Sequence, residues 1–214
     1  MRAILIPVKN FAESKTRLAP HYSSRASAEL AAALCKDFFA VVAQARGFDR
    51  VFVVSQEKQA LAWAEERGWD TIIERAQISE SHSVDSALCV CAAQGIDTLL
   101  RLPIDIPLAT PGDIELVLAA AEGAPCAVMV PSRDGTGTNA LLRSPPALFP
   151  SHFGADSFAV HLSEGERRGV RVNVLHNSNI ALDVDDADDL RLVVDRLRTE
   201  SATARWVERH ALSE

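Results

Sequence analysis

Carboxylates in two segments of the chain, 105 and 183–185, could bind a divalent cation. Asp105 lies between Pro103 and Pro107, directly after the apolar segment 98–102, which predicts a strand buried on both faces. Because neither proline can donate a ladder hydrogen bond, we expect the chain to leave the sheet here and present Asp105 at its carboxyl edge. Ligands bind at this edge in open α/β folds. The alternative is that Asp105 only caps a turn.

Two further carboxylates, Asp183 and Asp185, follow the apolar segment 179–182, which we also predict to be a strand. In extended backbone, alternate side chains point to the same side, so both carboxylates would face one way with Val184 turned away. Carboxylates facing the same way repel each other unless a cation lies between them. Together with Asp105, they are predicted to form an all-oxygen Mg²⁺ site completed by water and phosphate oxygens.

Three cations, Lys9, Lys15 and Arg17, lie in the predicted loop 7–20, after the first apolar strand. In an acidic protein, such a cluster indicates a polyanion site, for example the phosphates of a nucleotide. The loop is neither a P-loop nor a dinucleotide fingerprint, because the glycines that both motifs require are missing. A solvated basic turn is the alternative interpretation.

Three further segments, 79–86, 131–141 and 154–157, could contact other parts of a nucleotide or a second ligand. Ser83 and Asp85 lie in a predicted polar turn, 79–86, that leads into a helix. They could contact a base or ribose there, but a plain helix N-cap explains the same residues and is the favoured interpretation. The segment 131–141 contains two glycines that would let backbone N–H groups approach a ligand. Gly154 and Ser157 precede a helix whose first turn could bind a phosphate or carboxylate.

Composition narrows the class of protein. The 214 residues, 48% of them hydrophobic, suit one domain, and no apolar run approaches the ~18–20 residues that a membrane span needs. We therefore expect a soluble, cytoplasmic protein. The net charge of −7 argues against nucleic acid as a partner, because binding to a phosphate backbone requires a basic face. The four cysteines have no paired metal spacing and are predicted to be reduced core residues: Cys35, Cys89, Cys91 and Cys126.

Strands and helices alternate along the chain, which predicts a doubly wound α/β fold with parallel pairing. The predicted strands are 3–6, 51–54, 71–73, 98–102, 126–130, 170–175 and 179–182. Between them we predict helices, including one that starts at Ser24 or Ser27, one at 59–67, one at 84–93 and one that carries His161 as a structural residue. The predicted domain is 1–200, followed by a C-terminal helix or tail, 201–214, whose Trp206 could anchor it or form a homodimer interface.

Five ordered motifs together resemble the phospholactate/phosphoenolpyruvate guanylyltransferases of coenzyme F-420 biosynthesis. They are residues 7–9 with 15–18, then 102–108, then 134–141, then 153–154 with 157–158 and His161, and finally 183–185, and the resemblance spans 1 to about 197. It implies a single-domain, glycosyltransferase-A-like nucleotidyltransferase fold with a mostly parallel central sheet and helices on both faces. It also implies GTP, Mg²⁺ and a small phosphorylated three-carbon acid as ligands.

The resemblance assigns roles position by position. Asp105, Asp183 and Asp185 match the metal ligands, and Lys9, Lys15 and Arg17 match the basic loop over the nucleotide phosphates. Thr138, Gly154 and Ser157 match the site of the phosphorylated acceptor. Asp105, Lys15 and Arg17 would be the catalytic residues, and Ser83 and Asp85 would contact the nucleotide. At 81–85 the family pattern has a glycine-rich turn with Leu-Asn, which is absent here and could signal a different acceptor, such as 3-phosphoglycerate in place of phosphoenolpyruvate or 2-phospholactate.

The expected reaction transfers GMP from GTP to the phosphate of the acceptor and releases pyrophosphate. A phosphate monoester has a second pKa of about 6 and so needs no general base to become a nucleophile. Two other functions remain open from the residues. One is a different nucleotidyltransferase of the same fold, acting on a sugar phosphate or on the molybdenum cofactor, and the other is a non-catalytic nucleotide-binding module.

Overall fold

A computed structural model describes residues 1–210, which form a seven-stranded sheet and seven α-helices. The strands are β1 (Arg2–Val8), β2 (Arg50–Ser55), β3 (Asp70–Ile73), β4 (Thr98–Arg101), β5 (Cys126–Pro131), β6 (Thr138–Ser144) and β7 (Arg171–Val174). The helices are α1 (Ser24–Val42), α2 (Lys58–Glu65), α3 (Glu80–Ala93), α4 (Pro111–Ala119), α5 (Ser157–Arg167), α6 (Ala187–Val194) and α7 (Ala202–Arg209). Two short 3₁₀ turns, Phe11–Glu13 and Thr16–Leu18, follow β1.

The sheet is mostly parallel, as predicted. Its strand order is β3-β2-β1-β4-β6-β5-β7, and only the two pairings of β6 are antiparallel among the described strands. Because β1 lies between β2 and β4, the carboxyl ends of three neighbouring parallel strands meet at one edge. This edge carries the loop 9–19 and the segment that follows β4, so it positions the candidate site.

Helices cover both faces of the sheet because β1, at its centre, is apolar from Ala3 to Val8. In β1, Ile4 and Ile6 pack in the cluster that contains residues of α1, α2 and α4. The alternate residue Leu5 packs on the opposite face with Val84 and Leu88 of α3. Successive side chains of a strand point to opposite layers, so the continuous apolar run 3–8 of β1 requires a helical layer on each face.

Two elements differ from the sequence-based expectation. The predicted strand 179–182 is wrong, because the side chain of Asn177 accepts hydrogen bonds from the backbone N–H groups of Asn179 and Ile180 and turns the chain. Conversely, β6 begins at Thr138, within a segment expected to be a loop. The charged Arg143 is compatible with a buried strand because its guanidinium donates to Phe149 O and Ser151 Oγ.

Helix α3 begins earlier than predicted. Ser79 is its N-cap and accepts a hydrogen bond from the backbone N–H of His82, so the expected polar turn 79–86 is helical from Glu80 onward. The helix also separates two cysteines that are two positions apart. Cys91 is buried, whereas Cys89 is exposed, so the prediction of a core position is wrong for Cys89.

The last described helix is part of the main body of the chain. The indole of Trp206 is fully buried and donates to Ala26 O at 3.0 Å. The Asp37 carboxylate of α1 accepts the backbone N–H groups of Ala202 and Thr203, each at 2.8 Å, and so caps α7. Residues 211–214 of the predicted C-terminal segment lie outside the described residues. No described helix is both long and apolar enough to cross a lipid bilayer.

We expect Trp206→Ala to lower the free energy of unfolding by about 3–5 kcal/mol, because it leaves a large cavity between α1 and α7. Urea unfolding followed by circular dichroism measures this change. Leu192→Ala, on an exposed position of α6, is the matched control and should change the free energy by less than about 0.5 kcal/mol. Equal losses for the two variants would contradict the anchoring role of Trp206.

Candidate active site

A buried lysine links the two predicted acidic segments. Lys15 Nζ lies 2.6 Å from Asp105 Oδ2 and 3.3 Å from Asp185 Oδ1, and Arg17 lies 3.2 Å from the other oxygen of Asp185. Burial lowers the pKa of Lys15, but the charges of Asp105 and Asp185 outweigh it and hold this pKa above its usual value. Burial likewise raises the pKa of Asp105, and the adjacent ammonium more than reverses this and keeps the carboxylate ionised.

The backbone brings these residues together. The N–H of Val184 donates to the carbonyl of Asp105 at 2.9 Å, which joins the segment after β4 to the acidic segment 80 residues further along the chain. Val184 is fully buried, so Asp183 and Asp185 face the other way, as predicted. Lys15 has a left-handed backbone conformation with φ of 55°, which is uncommon for a residue with a side chain. Lys15 is the N-cap of the following 3₁₀ turn, whose Leu18 is fully buried.

Asp183 is the third predicted metal ligand. It accepts a hydrogen bond from Asn139 Nδ2 at 3.0 Å, and burial together with the charge of Asp105 raises its pKa to about 6. Within residues 1–210, however, no three His, Cys, Asp or Glu side chains form a group that could hold a metal ion. The ammonium of Lys15 lies between Asp105 and Asp185 and so supplies the positive charge that the sequence had suggested for a metal.

Two cavities open on either side of this cluster. The loop cavity, about 490 Å³, is lined by residues that include Lys9, Ser14, Lys15, Gln77 and Ser83. The glycine cavity, about 660 Å³, is lined by residues that include Arg17, Gly137, Thr138, Gly154 and Ser157. Five residues line both cavities and form the wall between them: Glu80, Arg101, Pro103, Asp105 and Asp185. Two ligands bound side by side would therefore meet at Asp105.

Hydroxyl groups of the glycine cavity are held by a buried histidine. Ser157 Oγ donates to Thr138 Oγ1 at 3.3 Å, and Thr138 Oγ1 lies 3.0 Å from His161 Nδ1. The backbone N–H of His152 donates to His161 Nε2 at 2.9 Å, so the proton of the neutral ring is on Nδ1. The Nδ1–H group therefore donates to Thr138 Oγ1. Burial, reinforced by the charge of Arg143, lowers the pKa of His161 to about 3. His161 is therefore a neutral structural residue, as expected from the sequence.

The structure separates the predicted nucleotide contacts. Lys9 is exposed at the loop cavity, and Ser83 lines it but is buried and donates its hydroxyl hydrogen bond to Ser79 O. Asp85 lines neither cavity, because its carboxylate accepts the backbone N–H of Ser151 at 3.1 and 3.2 Å. The contact with a base or ribose predicted for Asp85 is therefore not supported by its position, which follows from the early start of α3.

Arg101 is a site residue that the sequence analysis missed. It ends β4, lines both cavities and is only 4% exposed. Its guanidinium lies 4.1 Å from the centre of the Phe153 ring and donates to Thr138 O and Asn139 O. The sequence contained a sign of this role, because Arg101 directly follows three residues of a predicted buried strand, and a buried charge requires partners.

The buried neutral state of His161 predicts a pH dependence. An unfolded histidine has a pKa of about 6.5, so below that pH the unfolded chain binds a proton that the folded chain does not bind until about pH 3. His161 therefore stabilises the fold above pH 6.5, and this stabilisation falls as the pH drops toward 3. The difference in unfolding free energy between the native protein and His161→Gln should shrink by about 2 kcal/mol from pH 7 to pH 5.

Denaturant unfolding at both pH values measures this difference. His21→Gln, at an exposed position, is the control and should leave the pH dependence unchanged. Parallel pH profiles for His161→Gln and the native protein would contradict the buried neutral state.

Known guanylyltransferases are similar to this chain over most of its length. A family model described as "Guanylyl transferase CofC like" matches residues 1–202. The chain is 34% identical over 186 residues to a phosphoenolpyruvate guanylyltransferase of Rubrobacter xylanophilus, covering 87% of this chain and 90% of that protein. It is 33% identical over 201 residues to a 2-phospho-L-lactate guanylyltransferase of Methanothermobacter thermautotrophicus, with 94% and 86% covered. A 3-phospho-D-glycerate guanylyltransferase of Colwellia psychrerythraea is 30% identical over 190 residues, with 89% and 90% covered.

Solved structures support the same fold. A protein from Desulfovibrio desulfuricans G20, described as a nucleotide-diphospho-sugar transferase, superimposes with a TM-score of 0.80 at 16% identity, covering 98% of this chain and 95% of that one. A nucleotidyl transferase from Methanothermobacter thermautotrophicus gives a TM-score of 0.62 at 13% identity, with 92% and 97% covered. At these identities the structural likeness establishes a nucleotidyltransferase-like fold, while the extended sequence match is more specific. The chain belongs to the CofC-like guanylyl transferase family.

Proposed function

We propose that this protein transfers GMP from GTP to the phosphate of a phosphorylated three-carbon acid, with release of pyrophosphate, in coenzyme F-420 biosynthesis. The observation that carries the proposal is the wall shared by the two cavities, where Asp105 and Asp185 are paired with Lys15. A transfer between two anions requires two adjacent binding sites and positive charge at the boundary between them. The membership of the chain in a guanylyl transferase family supports the same reaction.

The loop cavity suits the triphosphate of the nucleotide. Lys9 and Lys15 supply cations on one side, and the apolar Val8, Ala31 and Ile104 offer surface to a base or ribose. The glycine cavity suits the acceptor, since Thr138 and Ser157 offer hydroxyl groups and Gly154, with φ of 125°, exposes its backbone. Arg17 lines the glycine cavity and can attract an anionic acceptor toward Asp185, its present partner.

In the proposed reaction, a phosphate oxygen of the acceptor attacks the α-phosphorus of GTP in line, and the bond to pyrophosphate breaks. The acceptor phosphate is largely dianionic at neutral pH, so no residue has to remove a proton. This agrees with the neutral, hydrogen-bonded state of His161. The task of the protein is to align two anions and to reduce their repulsion, and Lys15 and Arg17 are placed to do so.

We also propose that Mg²⁺ takes part in nucleotide binding. Mg²⁺ in phosphoryl-transfer enzymes is commonly bound by one or two carboxylates together with phosphate oxygens and water. Asp105 and Asp183 fit such a donor set, because both line the glycine cavity and the Val184 N–H, next to Asp183, donates to the carbonyl of Asp105. Asp185 adds a third carboxylate at the same wall. When bound, the cation would neutralise charge on the phosphates.

The three named relatives act on different acceptors at nearly equal identity, so identity does not select one for this chain. The segment 81–85, where the resemblance breaks, lies on α3 and contacts the chain just before Gly154. Ser81 Oγ accepts the backbone N–H of Phe153 at 2.8 Å, and Asp85 accepts that of Ser151. Because these contacts hold the segment that carries Gly154, the departure bears on acceptor recognition, and we include 3-phospho-D-glycerate among the proposed acceptors.

We expect pyrophosphate release from GTP with at least one of phosphoenolpyruvate, 2-phospho-L-lactate and 3-phospho-D-glycerate, tested in parallel with added MgCl₂. Mass spectrometry should detect the guanylylated acid, and ATP in place of GTP and EDTA in place of MgCl₂ serve as controls. Release with a sugar 1-phosphate but with none of the three acids would assign a different nucleotidyltransferase. Tight GTP binding without release for any acceptor would assign a non-catalytic nucleotide-binding module.

We expect Asp105→Asn to lower kcat by about 100-fold or more, since it removes a carboxylate that would hold the proposed Mg²⁺ and that positions the ammonium of Lys15 at the boundary between the two substrates. The fold should be retained, because Lys15 keeps Asp185 as a partner. Circular dichroism and steady-state kinetics test both statements, with Asp195→Asn at an exposed position of the chain as the control. Near-normal rates for Asp105→Asn at saturating Mg²⁺ would contradict the role of Asp105.

A further inference from the structure

Arg101 carries a charge that the fold alone does not require. The other three residues of β4 are Thr98, Leu99 and Leu100, all buried, and Arg101 continues this series at 4% exposure. An apolar residue at this position would extend the core without the desolvation that a guanidinium requires. Burial lowers the pKa of Arg101 to about 10, so the group remains cationic at neutral pH.

The hydrogen bonds of Arg101 are incomplete. One terminal nitrogen donates to Thr138 O at 3.3 Å and to Asn139 O at 3.2 Å, and the other contacts the Glu80 carboxylate. The buried Nε–H has no acceptor among the described residues. A buried donor without a partner costs about 1–3 kcal/mol, so natural proteins rarely retain one that has no use.

A second buried arginine shows what a purely structural one looks like here. Arg143 on the neighbouring strand β6 is 1% exposed and donates to Phe149 O and to Ser151 Oγ. Each terminal nitrogen of Arg143 has its own acceptor, and Arg143 lines neither cavity. Arg101, by contrast, lines both cavities and shares the wall between them with Asp105.

We propose that Arg101 binds the phosphate group of the acceptor. This inference rests on the proposed function, because it assumes that a phosphorylated acid occupies the glycine cavity. The reacting phosphate must lie at the wall that both cavities share in order to reach the nucleotide, and Arg101 is the cation of that wall. The carboxylate of the acceptor would then extend away from the wall, toward Thr138 and Ser157.

The chemistry of the guanidinium suits this role. Its planar set of N–H donors matches the oxygens of a phosphate, and such charged hydrogen bonds are about twice as strong as neutral ones. Phosphate binding would give the Nε–H the acceptor that it lacks. Phe153 and the carbonyls of Thr138 and Asn139 hold the group in place, so little side-chain entropy is lost when the acceptor binds.

The test compares Arg101→Met and Arg101→Lys with Arg143→Met. Steady-state kinetics gives KM for the acceptor, KM for GTP and kcat, and calorimetry gives Kd for the acceptor without GTP. We expect Arg101→Met to raise the acceptor KM and Kd by about 10- to 100-fold, with the KM for GTP changed less than about twofold. Arg101→Lys should recover part of the loss. Arg143→Met should lower the denaturation temperature without changing the acceptor KM.

Competition separates the two anionic groups of the acceptor. Inorganic phosphate and the dephosphorylated acid, such as D-glycerate or lactate, are tested as inhibitors against the acceptor. Arg101→Met should weaken inhibition by inorganic phosphate and leave that by the acid unchanged. If only inhibition by the acid is weakened, Arg101 does not bind the phosphate group of the acceptor. If a folded Arg101→Met variant has an unchanged acceptor KM, Arg101 does not bind the acceptor at all.

Two further outcomes are decisive. If Arg101→Met does not fold, Arg101→Lys decides, because an acceptor KM equal to that of the native protein would overturn the proposal. If the native protein releases no pyrophosphate with any of the three acids, the proposed function itself fails. A fall in kcat alone, without a change in acceptor KM or Kd, would mean that Arg101 only balances the charges of Asp105 and Asp183.

Discussion

The buried ion pair between Lys15 and Asp105 is the interaction on which the rest of the site depends. Asp105, Asp183 and Asp185 approach one another from two distant parts of the chain, and three unpaired carboxylates in a partly buried cleft would destabilise the fold. The ammonium of Lys15, 2.6 Å from Asp105 and 3.3 Å from Asp185, permits this arrangement. The same positive charge faces the loop cavity, so the group that stabilises the cluster is also placed to meet a triphosphate.

The antiparallel strand β6 completes the site that the parallel strands begin. It lies between β4 and β5 and so brings Thr138 and Asn139 beside the end of β4. Asn139 donates to Asp183, and the carbonyls of both residues accept from Arg101. One reversed strand therefore positions a carboxylate, a buried cation and a hydroxyl of the glycine cavity. This explains why residues scattered over 80 positions of sequence act on one wall.

The sequence predicts those parts of the structure that depend on local patterns. Continuous apolar runs identify the parallel strands, and the prolines around Asp105 place it at the carboxyl edge, because both signals lie within a few residues. Features that depend on the hydrogen-bond partner of one polar side chain were missed. Strand β6 contains Asn139 and Arg143, whose partners Asp183 and Phe149 do not follow from a hydrophobic pattern, and the turn at 179–182 depends on a single side chain, Asn177. Arg101 was missed because its role depends on two cavities.

We propose that the two cavities bind two different anions, which meet at Asp105. A crystal structure of the protein with a non-hydrolysable GTP analogue and the acceptor would locate both. We expect the triphosphate in the loop cavity beside Lys15, with the acceptor phosphate in the glycine cavity on the other side of Asp105. Nucleotide phosphates in the glycine cavity, or both ligands far from Lys15, would contradict this proposal.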